Sequence, residues 1–250
     1  MSETLHPKRP AKARADQMLV ERGMATSREQ ARALLLGGEV FSGSQRIERP
    51  GQQLPADTPL RVRERPRFVG RGGEKLAGAL AAFGIEVRGL VALDVGASTG
   101  GFVDCLLQAG ARGVYGVDVG HGQLAAKLRD DPRVVSMEGV NARHPFPLPA
   151  PVDLLVADVS FISLRLVLPA ALEHLSPGGF ALVLVKPQFE AGREQVGRGG
   201  IVREPVTHAA VVGELCLWAI AQGLRLGGVR PSPIEGSDGN LEFFVLMRKD

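Results

Sequence analysis

Val91-Ala92-Leu93-Asp94-Val95-Gly96-Ala97-Ser98-Thr99-Gly100-Gly101-Phe102 runs from an apolar stretch through an acid into a glycine-rich turn and then toward a helix. A strand that delivers glycines to a helix N-terminus lets a ligand lie against bare backbone, because glycine lacks a Cβ and tolerates positive φ. The spacing excludes two common ligands. A dinucleotide turn needs G-x-G-x-x-G, and Ser98 stands where its second glycine belongs. A phosphate-cradling P-loop needs Gly-Lys-Ser/Thr, which does not follow.

Two readings of the stretch remain: a buried strand with a tight turn, or the first loop of an enzyme that binds S-adenosylmethionine, a ligand with an amino acid and a ribose but no phosphate. The second reading sets Asp94, Gly96, Ala97, Ser98, Gly100, Gly101 and Phe102 against the ligand. Outward from the loop, strands are expected at Gly113–Val117, Val134–Glu138, Asp153–Ala157, Phe180–Val185, Arg225–Arg230 and Leu241–Met247. Helices are expected at Gly101–Gln108, His121–Arg129, Leu164–Leu175 and Pro205–Gln222. Apolar strands alternating with helices predict a doubly wound, Rossmann-like α/β domain whose parallel sheet is covered on both faces.

Ligands of such sheets bind beyond the carboxyl ends of the strands. Asp118 falls at one such end, where a carboxylate can accept both ribose hydroxyls; Glu138 and Asn141 follow the next strand, near the expected adenine. Asp158 and Lys186 follow two more, and Glu242 lies at the start of the last. One acid at a strand end is more often a cap or a turn former than a ligand. The collected set resists that explanation.

At 250 residues and 44% hydrophobic, the chain can build one core of roughly 180 residues plus a small accessory module. It has no apolar run of membrane-spanning length and no signal-like apolar segment, so a cytoplasmic enzyme is expected. Cys105 and Cys216 give neither metal spacing nor a disulfide framework, and no metal is expected. Charge is unevenly spread. Residues 1–71 carry a net +6 and residues 72–250 a net −3, so the first part is suited to a polyanion and the body to another task.

Within the basic part, residues 1–13 read as a disordered arm and Asp16–Arg22 as a short helix stopped by Gly23. Ser27 opens a second helix with a capping box to Gln30, ending at Gly37-Gly38. Arg28 and Arg32, four apart, share the face opposite Ala31, Leu34 and Leu35. Short strands are expected at Glu39–Phe41 and Leu60–Arg63. Residues 66–73, rich in Pro, Gly and Arg, read as a linker. Residues 14–65, with Arg14, Asp16, Gly23, Ser27, Arg28, Gln30, Ala31, Gly38, Val40 and Gly43 in register, resemble the S-four-type RNA-binding domain, a small α+β module. The resemblance implies RNA contacts from Arg14, Arg28 and Arg32, with Arg65, Arg67 and Arg71 continuing the basic track.

The body, residues 74–250, resembles the FtsJ-like ribose methyltransferases, whose Lys-Asp-Lys-Glu set matches Lys75, Asp158, Lys186 and Glu242. With Arg71-Gly72-Gly73-Glu74-Lys75-Leu76, Asp158-Val159-Ser160-Phe161-Ile162 and Val185-Lys186-Pro187-Gln188-Phe189-Glu190, the chain from Arg14 to Lys249 is similar to the TlyA family. That family implies an S-adenosylmethionine-dependent ribosomal-RNA 2′-O-methyltransferase of cytidines, also labelled haemolysin, with ribosomal subunits as partners. We expect it to act as a monomer. Its chemistry needs alignment and a proton acceptor, since a ribose hydroxyl is a poor nucleophile and the sulfonium methyl a strong electrophile. Lys186 is the expected acceptor, provided burial and the cation of Lys75 populate its neutral amine. Asp158 and Glu242 would orient the amines. The glycine-rich segment 188–204, with Arg193, Arg198 and Arg203, reads either as an RNA-gripping loop or as a mobile connection. An RNA-binding factor without transfer activity and a lytic protein are the competing readings, the latter lacking an insertable segment.

Overall fold

The computed structural model describes residues 11–63 and 66–250. Contacts divide the chain into two compact units between Pro66 and Arg67. Arg65 and residues 1–10 of the expected arm lie outside the described residues.

The first unit packs two helices, α1 (Ala15–Glu21) and α2 (Arg28–Leu36), against short strands. Its core is Ala15, Met18, Leu19, Ala25, Ala31, Leu35, Val40, Ile47, Leu54 and Leu60. Strand β1 (Lys12–Arg14) pairs with β4 (Gln53–Pro55), while β2 (Val40–Ser42) lies between β3 (Gln45–Arg46) and β5 (Arg61–Val62). Residues 12 and 13 are therefore ordered, contrary to the expected arm, because β4 supplies backbone partners that composition does not reveal. Ser27 Oγ accepts from the Gln30 amide at 3.1 Å. The Gln30 side chain, expected to return to Ser27, reaches one residue further and accepts from the Thr26 amide and hydroxyl at 2.6 and 2.7 Å.

The second unit begins at Arg67, within the expected linker. Phe68 is buried against Leu76 and Phe102, and the Val69 amide donates to Asp104 Oδ2 at 2.8 Å. From Arg67 onward the expected linker is thus part of this unit, anchored by one aromatic ring that its polar composition conceals. Helix α3 (Gly72–Phe83) follows. Strands β6 (Val91–Val95), β7 (Gly113–Asp118), β8 (Val134–Glu138), β9 (Val152–Ala157) and β10 (Leu175–Val185) are parallel; β11 (Leu224–Pro231) and β12 (Phe243–Lys249) complete the sheet. Its order is β11-β12-β10-β9-β6-β7-β8. The sheet is not wholly parallel, since β12 runs against both neighbours. Helices α4 (Gly101–Gln108), α5 (Ala126–Arg129), α6 (Leu164–Glu173), α7 (Pro187–Glu190) and α8 (Pro205–Ala221) make the connections. Two apolar clusters cover the two faces, one around Leu155, Val183 and Val245, the other around Leu154, Leu182 and Phe244. Consecutive strand residues therefore alternate between them.

Helix α5 is a single turn where nine helical residues are expected. Gly120 and Gly122, the latter at φ +66°, keep the preceding chain in turns.

Candidate active site

Register brings three of the four expected catalytic residues to one rim. Val183 pairs with Ala157 and Val185 with Phe243, so Asp158 just after β9, Lys186 just after β10 and Glu242 just before β12 leave adjacent strands at the same end of the sheet. Lys75 reaches Glu242 from the first turn of α3. Its Nζ donates to Glu242 Oε2 at 2.5 Å, with both side chains buried. Lys186 Nζ lies 2.6 Å from Asp158 Oδ1 and donates to Ser160 Oγ at 2.9 Å. The start of α3 is close to the second pair: a Cβ added at Gly72 would stand 3.6 Å from Asp158 Oδ2. Each amine thus has its own carboxylate, and the cation of Lys75 is neutralised locally.

The glycine turn forms the rim of the neighbouring strand. Gly96 has φ +90°, and a Cβ there would sit 2.5 Å from the Asp158 carbonyl oxygen. Only glycine lets the ends of β6 and β9 approach this closely. Ser98 takes φ +48°, a left-handed conformation unusual for a side-chain-bearing residue. Asp118 holds that turn, with Oδ2 accepting from the Ser98 amide at 2.8 Å and Oδ1 from the Gly120 amide at 2.7 Å. Gln123 accepts from Ser98 Oγ at 3.2 Å.

Beside the turn opens a cleft of about 360 Å³, within the range of small-ligand sites. Gly96, Ser98, Asp118, Asn141 and Asp158 line it, together with an apolar wall that includes Val119, Val140, Ala142 and Ile162. A smaller cavity of about 210 Å³ shares Gly96, Ser98, Asp158 and Ser160 and extends to Ala97, Gly101, Phe102, Arg71 and Lys186. Other expected ligand residues are placed differently. Gly100 has φ +94° and packs under Leu124 and Leu128, lining neither space. Phe102 is mainly core, stacked on Phe244 at 6.2 Å. Glu138 does not line the cleft; its Oε2 accepts from the Gly122 amide at 2.8 Å, so it braces a turn at the edge strand.

Asp94 is fully buried beneath the turn, and neither carboxylate oxygen has a hydrogen-bond partner of normal geometry, though the Val103 amide lies near enough to favour the anion slightly. Burial first, then the charges of Asp158 and Asp118, hold its pKa well above the ordinary carboxylate range. S-adenosylmethionine fits this donor set. The apolar wall suits an adenine, Asp118 keeps a second lone pair on each oxygen for ribose hydroxyls, and acids beneath and beside the turn suit a ligand bearing an ammonium and a sulfonium.

Three residues of the site were not among the expected ligand or catalytic residues. Gln123 lies in the stretch expected to be helical. Ser160 and Phe161 follow Asp158 in a loop whose shape only the structure gives. Phe161 has φ +63°, is 91% exposed at the cleft mouth and meets the Phe189 ring at 5.0 Å.

Of the expected RNA-contacting arginines, Arg14, Arg28 and Arg32 line one concavity of the first unit around Asp16. Arg14 forms a two-point pair with Asp16 at 3.0 and 2.8 Å, and Arg28 approaches it at 3.4 Å. These guanidinium groups, Arg14 foremost, lower the Asp16 pKa to about 2. In the second unit the two remaining arginines diverge. Arg67 stacks on Phe68 and lines a groove between α3 and α4, away from the cleft. Arg71 donates to the Glu235 carbonyl at 2.8 Å and lines the cavity that holds Lys186. Segment 188–204 is tethered: Asn240 accepts from the Val202 amide and donates to the Gly200 carbonyl, both at 2.9 Å, and His208 donates to the Val202 carbonyl at 3.0 Å. Arg193, Arg198 and Arg203 remain exposed on it. Among the described residues no group of three or more His, Cys, Asp or Glu could hold a metal, and no helix is long and apolar enough to cross a membrane.

Comparison with known proteins agrees with this geometry. The FtsJ-like methyltransferase family model matches residues 68–249. The 16S/23S rRNA (cytidine-2′-O)-methyltransferase TlyA of Mycobacterium tuberculosis is 46% identical over 242 residues, covering 95% of this chain and 90% of that protein. A candidate rRNA methyltransferase of Bacillus subtilis, YqxC, is 48% identical over 238 residues, covering 94% and 85%. A solved structure described as a candidate hemolysin from Streptococcus thermophilus superposes with a TM-score of 0.72 at 44% identity, covering 96% and 89%. The doubly wound sheet with its antiparallel β12 is the class I methyltransferase fold, and S-adenosylmethionine is its methyl donor. By sequence, by sheet order and by the site at its rim, the chain belongs to the FtsJ-like methyltransferases of the TlyA type.

Proposed function

We propose that the protein methylates the ribose 2′-hydroxyl of a cytidine in ribosomal RNA, with Lys75, Asp158, Lys186 and Glu242 as its catalytic set. The observation that carries the proposal is the pairing of two amines with two carboxylates at one sheet rim, with Lys186 opening into a cavity that shares its wall with the ligand cleft. The donor supplies an electrophilic methyl. Bound in the cleft, it would pass that methyl to the ribose oxygen, its sulfur keeping the bonding electron pair, while the ribose O–H bond gives up its proton. Lys186 Nζ, in its neutral form, takes that proton, and the resulting positive charge falls 2.6 Å from Asp158. Glu242 fixes Lys75 in a buried pair behind the rim that lines neither the cleft nor the smaller cavity. Alignment of this kind is worth several kcal/mol in a bimolecular reaction.

Support for an RNA substrate comes from the first unit. Arg14, Arg28 and Arg32 line a single concavity, suited to phosphate contacts that position without reading sequence. Residues 14–65 are proposed as an S-four-type RNA-binding domain and the second unit as the transferase domain. Arg71, beside Lys186, is proposed to continue the RNA track; Arg67 is the weaker member because its guanidinium lies over Phe68. A cytoplasmic, monomeric enzyme acting on ribosomal subunits completes the proposal.

The test is transfer of labelled methyl to ribosomal subunits, followed by alkaline hydrolysis. A methylated ribose cannot form the cyclic phosphate, so the label should appear in an alkali-resistant dinucleotide. Lys186→Ala should lower transfer about 10²–10⁴-fold while binding the donor normally. Label recovered only in mononucleotides overturns the ribose target. RNA binding without any transfer would favour the assembly-factor reading.

A further inference from the structure

We infer that Ser160 is a positioning residue, aiming the lone pair of Lys186 at the substrate hydroxyl. Its role presupposes Lys186 as acceptor of the ribose proton. A lysine ammonium has three N–H groups on a flexible stem. Here Ser160 Oγ, at 2.9 Å, accepts a hydrogen bond from one of them, while Asp158 Oδ1, 2.6 Å from Nζ, is an ion-pair partner that receives no hydrogen bond of normal geometry. The neutral amine keeps two N–H groups. With one held by Ser160 Oγ and the other drawn toward the charge of the Asp158 carboxylate, the lone pair takes the remaining tetrahedral direction.

The carboxylate alone would not achieve this, because it holds the amine by charge and not by a directed hydrogen bond, so the amine could still turn about Cε–Nζ and sweep the lone pair round an arc. Ser160 removes that freedom. All three side chains line the same 210 Å³ cavity, and Asp158 and Ser160 also line the larger cleft. A substrate hydroxyl entering the smaller cavity would meet Nζ there.

The backbone around Ser160 is itself held. Phe161 next to it takes φ +63° and packs on Phe189, and Glu190 accepts from Ser163 Oγ and the Leu164 amide, each at 2.6 Å. Phe189 and Glu190 follow Lys186 by a few residues, so the loop that carries Ser160 is tied to the segment that carries its amine partner. A mismatch of about 1 Å at such a site can lower a rate on the order of 10²-fold.

The experiment compares Ser160→Ala, Ser160→Thr and Lys186→Met with the wild type in methyl transfer to ribosomal subunits, with donor affinity measured by calorimetry. Ser160→Ala should lower kcat about 10- to 100-fold, with the donor Kd and the KM for RNA unchanged. Ser160→Thr, which keeps the Oγ, should restore kcat to within a few-fold of wild type. Adding Ser160→Ala to Lys186→Met should have no further effect, since the residue acts through the amine. A wild-type kcat in Ser160→Ala, a loss confined to KM, or an undiminished loss in the Lys186→Met background overturns the inference. Failure of the wild type to label ribose would instead overturn the proposed reaction.

Discussion

Lys75 and Glu242 meet at 2.5 Å although 167 positions separate them in the chain, and both are buried. Removing one member of such a pair leaves an unpaired charge in a poor solvent, which typically costs about 3–5 kcal/mol. Lys75→Met and Glu242→Leu should each lose about that much in denaturant unfolding. The double variant should recover most of the stability and none of the transfer activity. Single variants as stable as wild type would show that the pair is not isolated from water.

Asp118 acts on the ligand twice, through its free lone pairs and through the two amides it holds. Asp118→Ala should therefore weaken donor binding at least about tenfold, given about 1–3 kcal/mol for an unsatisfied polar group. Glu138→Ala should have little effect, because Glu138 lies outside the cleft. Titration calorimetry distinguishes the two; equal losses would mean that the edge-strand turn is part of the ligand site.

Asp94 gives a pH dependence of definite sign. Its folded pKa is raised by burial and by Asp158 and Asp118, so folding takes up a proton and stability falls as pH rises above the unfolded pKa of about 3.9. Asp94→Asn removes that slope. Ligand-free thermal melts from pH 5 to 8 should show the variant gaining on wild type as pH increases, and parallel curves would contradict the assignment.

Asp16 has the opposite sign. Its pKa is lowered to about 2 by Arg14 and Arg28, so its stabilisation is complete above the unfolded value of about 3.9 and disappears as pH falls through about 2. Melts of Asp16→Asn and wild type should converge in that acid window. The arginines of the concavity around Asp16 predict salt behaviour: Arg28→Ala or Arg32→Ala should reduce the slope of log affinity against log salt for RNA by about one. An unchanged slope would remove those residues from the phosphate track.

The doubly wound fold and the places of Asp158, Lys186 and Glu242 were legible because they depend on strand ends, and apolar runs such as Leu182–Val185 mark those ends clearly, whereas Lys75, on α3, entered through the family resemblance. The paired amines needed only Asp158, Lys186 and Glu242 to be adjacent to strands. Interactions between distant turns were not legible. Nothing in the residues around Gln123 says that the chain unwinds and turns toward Ser98, and the expected helix there was too long. Phe68 shows the same limit, since one buried ring recruits a polar, glycine-rich stretch into a core. Gly100 and Glu138 read as ligand residues from position alone, which does not reveal the contacts they make in the structure, Leu124 and Leu128 in one case and the Gly122 amide in the other.

The reversed course of β12 has a practical result. Glu242 precedes its strand, and the strand then carries the chain away from the reactive rim to Lys249, opposite Leu224. Asp250 consequently projects from the floor of the sheet. A fluorophore on a cysteine introduced near Lys249 would therefore sit about a strand's length from the reactive rim of this unit, where it can label the enzyme without entering the cleft.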